Sequence, residues 1–168
     1  MKRPLLIIGL ISLCAFWFYF FYTSYGFLFF VSDQQIIKLV LKENLFAKAK
    51  KEMVVEVAKT QQSITQGLSL RHALTSTTGQ KIDGLLFILP KKTIQQFWMK
   101  DMLFDIDICW LSGSTFLSCE RTATAPLAPL NNQNLTIYRS PAATNLVLET
   151  APNFLSEAEL KLKPFFKW

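Results

Sequence analysis

Histidine, paired cysteines and clustered glycines are scarce in this sequence, and each shortage argues against a class of site. His72 is the only histidine, and the three cysteines form no closely spaced pair, whereas a zinc site takes about four nitrogen or sulfur ligands. The six glycines are scattered and form no phosphate-binding loop, and no Gly-x-Ser-x-Gly elbow is present. The sequence therefore predicts no metal site and no cofactor, and it has no serine-hydrolase motif.

Charge is also sparse. Only 18% of the 168 residues are charged, while 51% are apolar, and the net charge is +6. Lys2 and Arg3 supply two of the positive charges, so the rest of the chain carries 16 Lys and Arg against 12 Asp and Glu. A surplus of this size does not form a strongly basic surface, and we expect no nucleic-acid partner.

The longest stretch without charge is near the N-terminus, where residues 4–31 contain no charged side chain. A helix of about 20 apolar residues crosses a bilayer, and a cleavable signal peptide has a shorter apolar core of about 7 to 15 residues. We therefore expect residues 1–31 to be an uncleaved single-pass membrane anchor. Lys2 and Arg3 favour a cytoplasmic N-terminus and an extracytoplasmic domain, although Lys38 and Lys42 weaken that rule.

Residues 32–51 look like a helical connector. Ser32 and Gln35 have the spacing of a capping box, and the apolar residues that follow recur at helical intervals at positions 36, 37, 40, 41, 45 and 49. The interpretation that we favour is a stalk helix with one face against the domain. The alternative is a helix that lies on an anionic membrane surface.

Residues 52–168 change to short apolar runs separated by turns. Six or seven short strands at close spacing predict a mostly β domain, a small sandwich or barrel with one or two short helices. The predicted strands are 53–58, 84–89, 95–100, 105–111, 116–121, 135–138 and 145–149. Short helices are expected at 60–66, closed by Gly67, and at 156–160, and Pro90 is expected to end the second strand.

The central part of the chain carries an ordered set of short motifs. They are Gly67-Leu68-Ser69-Leu70-Arg71, Gly84-Leu85-Leu86-Phe87, Phe97-Trp98-Met99-Lys100, Asp105-Ile106-Asp107-Ile108, Ser140-Pro141-Ala142 and Val147-Leu148-Glu149. In this order, from about Val54 to Leu162, the chain resembles the DUF192 family, also called UPF0127, whose function is uncharacterised. The resemblance implies a compact, mostly β domain, in this family often behind a signal or anchor segment, and it implies no particular reaction.

The resemblance also marks individual positions. The residues that match its pattern are Gly67, Leu68, Arg71, Phe87, Trp98, Met99, Lys100, Asp107 and Glu149. The departures are Leu85 for Met, Asp101-Met102 for Asn-Thr, Asp105-Ile106 for Pro-Leu and Lys163-Pro164 for Gly-Asp.

Four of the matching residues are charges set among apolar neighbours, namely Arg71, Lys100, Asp107 and Glu149. Such charges are seldom buried without a partner, so we expect either a ligand-binding cluster or an ion-pair network that stabilises the domain. We place Arg71, Asp107 and Glu149 in one neighbourhood. We also expect Trp98 to be in the core, and Met99 to face the other way if the segment is a strand.

Three functions are compatible with these residues. The first is non-enzymatic binding of a small molecule, a glycan or an envelope protein close to the membrane. The second is an envelope hydrolase that uses Asp107 and Glu149 as a carboxylate pair. The third is a structural envelope subunit held by its anchor.

Two cysteines flank the predicted turn at residues 112–115. If the turn is centred on Ser114, Cys109 lies opposite Cys119 and a disulfide can form; if it is centred one half-step earlier, the two are out of register. We favour two buried thiols. An oxidising, extracytoplasmic location would permit the bridge.

Overall fold

The computed structural model describes residues 12–14, 24–126 and 135–167. Residues 24–126 and 135–167 contain nine strands and three short helical segments. The strands are β1 (Ile36–Lys42), β2 (Lys51–Ala58), β3 (Gly84–Thr93), β4 (Gln96–Trp98), β5 (Ile106–Ser112), β6 (Thr115–Ala123), β7 (Ile137–Arg139), β8 (Thr144–Thr150) and β9 (Lys163–Lys167). The helices are α1 (Ser24–Phe30), α2 (Gln61–Gln66) and a 3-10 turn at Glu159–Lys161. The predicted mostly β class is confirmed.

Seven strands form one sheet in the order β6-β5-β8-β3-β2-β1-β9, and β4 and β7 form a separate two-stranded ribbon. Within the large sheet β2 and β3 are parallel, and the other neighbours are antiparallel. The edge strands β6 and β9 approach each other, so the sheet curls into a half-barrel rather than forming two stacked layers. The crossover between β2 and β3 contains α2.

Both faces of the curled sheet carry an apolar core. The inner face is filled by one cluster that includes Leu39, Val55, Leu86 and Leu148. The outer face carries a second cluster that includes Leu85, Phe87, Ile108, Trp110 and Val147, covered in part by α2 and the β4–β7 ribbon. Consecutive residues of one strand therefore belong to different cores, as expected for a side-chain period of two.

The prediction of a helical connector at 32–51 is wrong. Part of the capping-box contact forms, since the Ser32 amide donates to Oε1 of Gln35 at 2.9 Å. No helix follows, because Gln34 has a positive φ of 58° and the next residues form β1 between β2 and β9. The apolar run fits either period. Its alternate residues Ile37, Leu39 and Leu41 enter the inner core, and that packing selects the strand.

The end of the uncharged N-terminal run belongs to the domain. Phe27, Leu28 and Val31 are buried in the inner core. Lys59 Nζ donates to the carbonyl oxygens of Leu28, Phe29 and Val31 at 3.4, 3.0 and 2.9 Å. The prediction that the anchor extends through residue 31 is therefore wrong at its C-terminal end, because α1 packs on the sheet.

Most of the predicted 4–31 span lies outside the described residues. Among the residues described, no helix is long and apolar enough to cross a bilayer. Residues 125–134, whose two prolines and polar cluster predict a loop, also lie largely outside them, since the structure describes only residues 125 and 126 of this stretch.

Two prolines, Pro90 and Pro164, lie within strands. β3 continues past Pro90 to Thr93 instead of ending there, and its pairing with β8 is irregular between Ile88 and Thr93. Proline cannot donate a ladder hydrogen bond, and such an irregularity accommodates it. β9 is also present, although Lys163-Pro164 departs from the family pattern.

Cys109 lies directly opposite Cys119 on β5 and β6, and the two sulfurs are bonded. The expectation of two free thiols is therefore wrong. At the turn Ser112 pairs with Thr115, the register expected to separate the cysteines, and an irregularity between Trp110 and Leu111 shifts the pairing so that Cys109 faces Cys119. The remaining cysteine, Cys14, is free.

Candidate functional site

Glu149 is a buried carboxylic acid with an unpaired oxygen, which sets it apart from the other side chains in the described part of the chain. It lies on β8 between Leu85 of β3 and Ile108 of β5, so it faces the outer apolar cluster. Its side chain is 5% exposed, and its Oε2 atom has no hydrogen-bond partner. Burial raises the pKa of Glu149 to about 8, and the nearby charge of Arg71 only partly opposes this. Glu149 is therefore mostly protonated at neutral pH in the empty protein.

A cavity of about 230 Å³ opens beside Glu149. One wall of the cavity is formed by α2 and the residues that follow it in the crossover. Another wall is formed by β4 and the residue before it. The side chains of β3 lie between the two walls. The lining includes Gln66, Phe87, Gln95, Phe97, Trp98 and Glu149. A small cavity that combines aromatic and aliphatic side chains with one convergent acid and a few amides has the composition of a ligand site.

Two glycines allow the backbone to approach this region. Gly67 has a φ of +50° at the C-terminal end of α2, and a Cβ there would lie 3.3 Å from the Phe87 ring. Gly84 begins β3, where a Cβ would lie 2.5 Å from the Glu149 carbonyl oxygen. Glycine at both positions therefore follows from backbone conformation and close packing.

Trp98 is not in the core, which corrects the prediction. Its side chain is 57% exposed and lines the cavity, whereas Met99 is 4% exposed and packs in the outer cluster. The reason is the neighbouring residue Phe97, whose ring packs edge-on against Phe87 at 4.9 Å and Trp110 at 5.5 Å. Because Phe97 attaches β4 to the outer face, the next side chain points away from that face.

Arg71 is held beside the cavity by an ion pair. Its Nη1 lies 2.6 Å from Oε2 of Glu56 and also donates to the Thr75 carbonyl oxygen. Oε1 of Glu56 accepts from the amide and hydroxyl of Thr77 at 2.9 and 2.7 Å. This arrangement fastens the crossover segment 71–77 to β2. The sequence analysis did not single out Glu56; the clue was a carboxylate in an otherwise apolar strand.

Asp107 is buried on the opposite face of the sheet from Glu149. Its carboxylate accepts three hydrogen bonds at 2.8 Å, from Nη1 of Arg121 and from the amides of Thr122 and Asn153. Thr122, within β6, and Asn153, after β8, both have positive φ values, so this carboxylate stabilises two unfavourable backbone conformations. Its ionic partner is Arg121, a residue that the sequence analysis missed.

The predicted cluster therefore divides. Arg71 and Glu149 are neighbours, but Asp107 belongs to a separate network across the sheet. The expected single neighbourhood and the Asp107–Glu149 carboxylate pair are wrong, because Ile108 rather than Asp107 pairs with Glu149. Lys100 is half-buried and forms no salt bridge within the described residues, and its carbonyl oxygen accepts from the Ser69 hydroxyl at 2.9 Å.

The family model DUF192, described as an uncharacterized ACR, matches residues 43–163. The chain belongs to this family. Its members share a domain whose biochemical role has not been assigned, and the resemblance noted in the motifs is confirmed. No curated protein matches the chain.

Two solved structures share the fold. One is a proposed transcription regulator from Sinorhizobium meliloti 1021, with a TM-score of 0.59 and 17% identity, covering 82% of this chain and 96% of that chain. The other is a protein of unknown function from Novosphingobium aromaticivorans DSM 12444, with a TM-score of 0.58 and 19% identity, covering 82% of this chain and 89% of that chain. At these identities the similarity concerns the fold alone.

Proposed function

We propose that this protein is a membrane-anchored, extracytoplasmic receptor that binds a small molecule in the Glu149 cavity and does not transform it. The observation that carries the proposal is a buried carboxyl group with an unpartnered oxygen beside an open, partly aromatic cavity. An unsatisfied buried polar atom costs about 1 to 3 kcal/mol. A ligand that supplies a hydrogen bond would remove that cost.

The wall of the cavity supports a binding role. Trp98 presents a large aromatic surface to solvent, while Phe97 beside it is fixed against Phe87 and Trp110. An exposed indole on a rigid support offers contact area at a small cost in conformational entropy.

Two features support the proposed location. The Cys109–Cys119 bridge is typical of an oxidising compartment. The uncharged run before α1 covers residues 4–23, and about 20 residues at 1.5 Å per residue span the 30 Å core of a bilayer. The proposed anchor therefore ends close to where α1 begins packing on the domain.

Binding is tested with the purified full-length chain in a mild detergent. The ¹⁵N–¹H signal of the Trp98 indole, identified by its loss in Trp98→Phe, is recorded against a panel of monosaccharides, amino acids, amines and short carboxylic acids. We expect saturable shifts of this signal for at least one class. If no compound at 10 mM shifts it, the chain is better described as a structural subunit.

Location is tested by alkaline phosphatase fused after Trp168, because that enzyme needs an oxidising compartment. We expect an active fusion. N-terminal sequencing of the membrane-bound chain should read from the start of the anchor; a first residue beyond Tyr25 would show a processed signal peptide.

A further inference from the structure

We propose that the ligand of the Glu149 cavity is an organic cation, in which an ammonium or guanidinium group pairs with the Glu149 carboxylate and an apolar body lies against Phe97 and Trp98. This inference rests on the proposed small-molecule binding. It goes further by assigning the chemical class of the ligand, and three properties of the cavity wall carry it.

The first property is charge. Among the described residues, Glu149 is the only charged side chain that lines the cavity, although the whole chain carries a net charge of +6. Arg71, whose positive charge acts on Glu149, already pairs with Glu56 at 2.6 Å and donates to the Thr75 carbonyl oxygen. An anionic ligand would therefore meet a carboxyl group and no basic side chain among the described lining residues, while a cationic ligand would meet its counter-charge.

The second property is the state of the glutamine amides. Nε2 of Gln66 donates to the Ser69 carbonyl at 2.8 Å, and Nε2 of Gln95 donates to the carbonyls of Lys91 and Thr144 at 2.9 and 2.8 Å. Nε2 of each amide thus donates inside the protein, through one N–H in Gln66 and through more than one contact in Gln95, and no hydrogen bond to either Oε1 occurs among the described residues. An ammonium group brings donors and no acceptor, which matches the oxygen atoms that remain.

The third property is the aromatic wall. Phe97 is half-buried and Trp98 is 57% exposed beside it. Aromatic faces attract cations as well as apolar groups, and the attraction strengthens where water is excluded. The volume of about 230 Å³ suits a ligand with a small apolar body.

Binding of a cation at this site must be linked to a proton. The charged groups around Glu149 are Arg71, on the crossover segment, and Glu56, on β2; α2, β3, β4 and β5 contribute no charged side chain to the cavity lining. Burial raises the pKa of Glu149 to about 8 in the empty protein. Below that pH the carboxyl group must release its proton when the cation binds, so affinity should rise about tenfold per pH unit and level off above about pH 8.

The test compares three probes of nearly the same shape, namely benzylamine, benzyl alcohol and phenylacetate. Each is titrated into the full-length chain at pH 6, 7 and 8, with the Trp98 indole signal and calorimetry as readouts. We expect benzylamine to bind at least tenfold more tightly than the other two at pH 8. We also expect its affinity to fall about tenfold per unit below pH 8, with release of up to one proton.

Glu149→Gln is the decisive variant, and Glu52→Gln, which removes an exposed carboxylate paired with Lys167 at 3.4 Å, is its matched control. We expect the first to weaken benzylamine at least tenfold and abolish proton release, and the second to change neither. The cation assignment would be overturned if benzyl alcohol bound as tightly as benzylamine, or if only sugars or acids from the panel bound. Either result would leave the proposal of small-molecule binding intact. If no compound of the panel bound, both the cation assignment and the proposed small-molecule binding would be overturned.

Discussion

Asp107 and Glu149 lie on adjacent strands but on opposite faces of the sheet, because Glu149 pairs with Ile108 and Asp107 pairs with Thr150. The two carboxylates consequently have different environments. Asp107 accepts three hydrogen bonds, whereas Oε2 of Glu149 accepts none. One carboxylate organises the fold, and the other is available to a ligand.

The pH dependence of stability should reveal Glu149. Its folded pKa is about 8 and its ordinary value is 4.5, so between these values the folded chain retains a proton that the unfolded chain loses. The free energy of unfolding should therefore decrease with pH through this window by about 1.4 kcal/mol per unit, and level off above pH 8. Urea denaturation of the wild type and Glu149→Gln at pH 5, 6.5 and 8 measures the difference. A pH-independent difference would contradict the assignment.

Asp107→Asn should destabilise the domain by about 3 kcal/mol or more, since it removes a buried charge on which Arg121 and two backbone amides depend. Glu157→Gln is the control, because Glu157 pairs with the same arginine at 2.8 Å but is largely exposed, and it should cost less than about 1 kcal/mol. Chemical denaturation provides both values. Equal effects would mean that the Asp107 network contributes little.

Trp98→Ala and Phe97→Ala form a pair of neighbouring aromatic truncations with opposite expected effects. Trp98 is exposed, so its loss should cost less than about 1 kcal/mol of stability. Phe97 packs against Phe87 and Trp110, so its loss should cost about 3 kcal/mol or more. Ligand binding should weaken with Trp98→Ala although the domain remains folded. A large loss of stability in Trp98→Ala would show that Trp98 is a core residue.

A chain that starts at residue 52 should fail to fold, because it lacks β1, which separates β2 from β9. A chain that starts at Ser24 retains α1 and the Lys59 contacts to its carbonyls, and it should fold as a monomer. Cooperative thermal unfolding and dispersed amide signals distinguish the two. A folded 52–168 fragment would show that β1 is dispensable.

Thiol labelling under denaturing, non-reducing conditions should detect one cysteine, Cys14, and labelling after reduction should detect three, because Cys109 and Cys119 are bonded. Replacing both bonded cysteines with serine or alanine should cost about 2 to 3 kcal/mol in the chain-entropy model for a loop of this length. Detection of three thiols without reductant in protein isolated from an oxidising compartment would contradict the bridge.

Local pattern alone determined much of the domain. The apolar runs at 53–58, 105–111 and 145–149 became β2, β5 and β8, and the short helix predicted at 60–66 became α2 with Gly67 at its C-terminal end. The ordered motifs identified the family, since each is a contiguous block whose residues do not depend on the register of the sheet. The uncharged run at 4–31 was equally visible, because hydropathy needs no partner strand to be recognised.

Tertiary structure decided everything that depends on pairing. Residues 36–42 fit a helix or a strand, and only the space between β2 and β9 selected the strand. Sequence alternation cannot specify the offset between β5 and β8, and a shift of one residue moves a whole set of side chains to the other face. That offset separated Asp107 from Glu149. The exposure of Trp98 also depends on distant residues. Phe97 packs against Phe87 and Trp110, so the adjacent Trp98 side chain points away from the core.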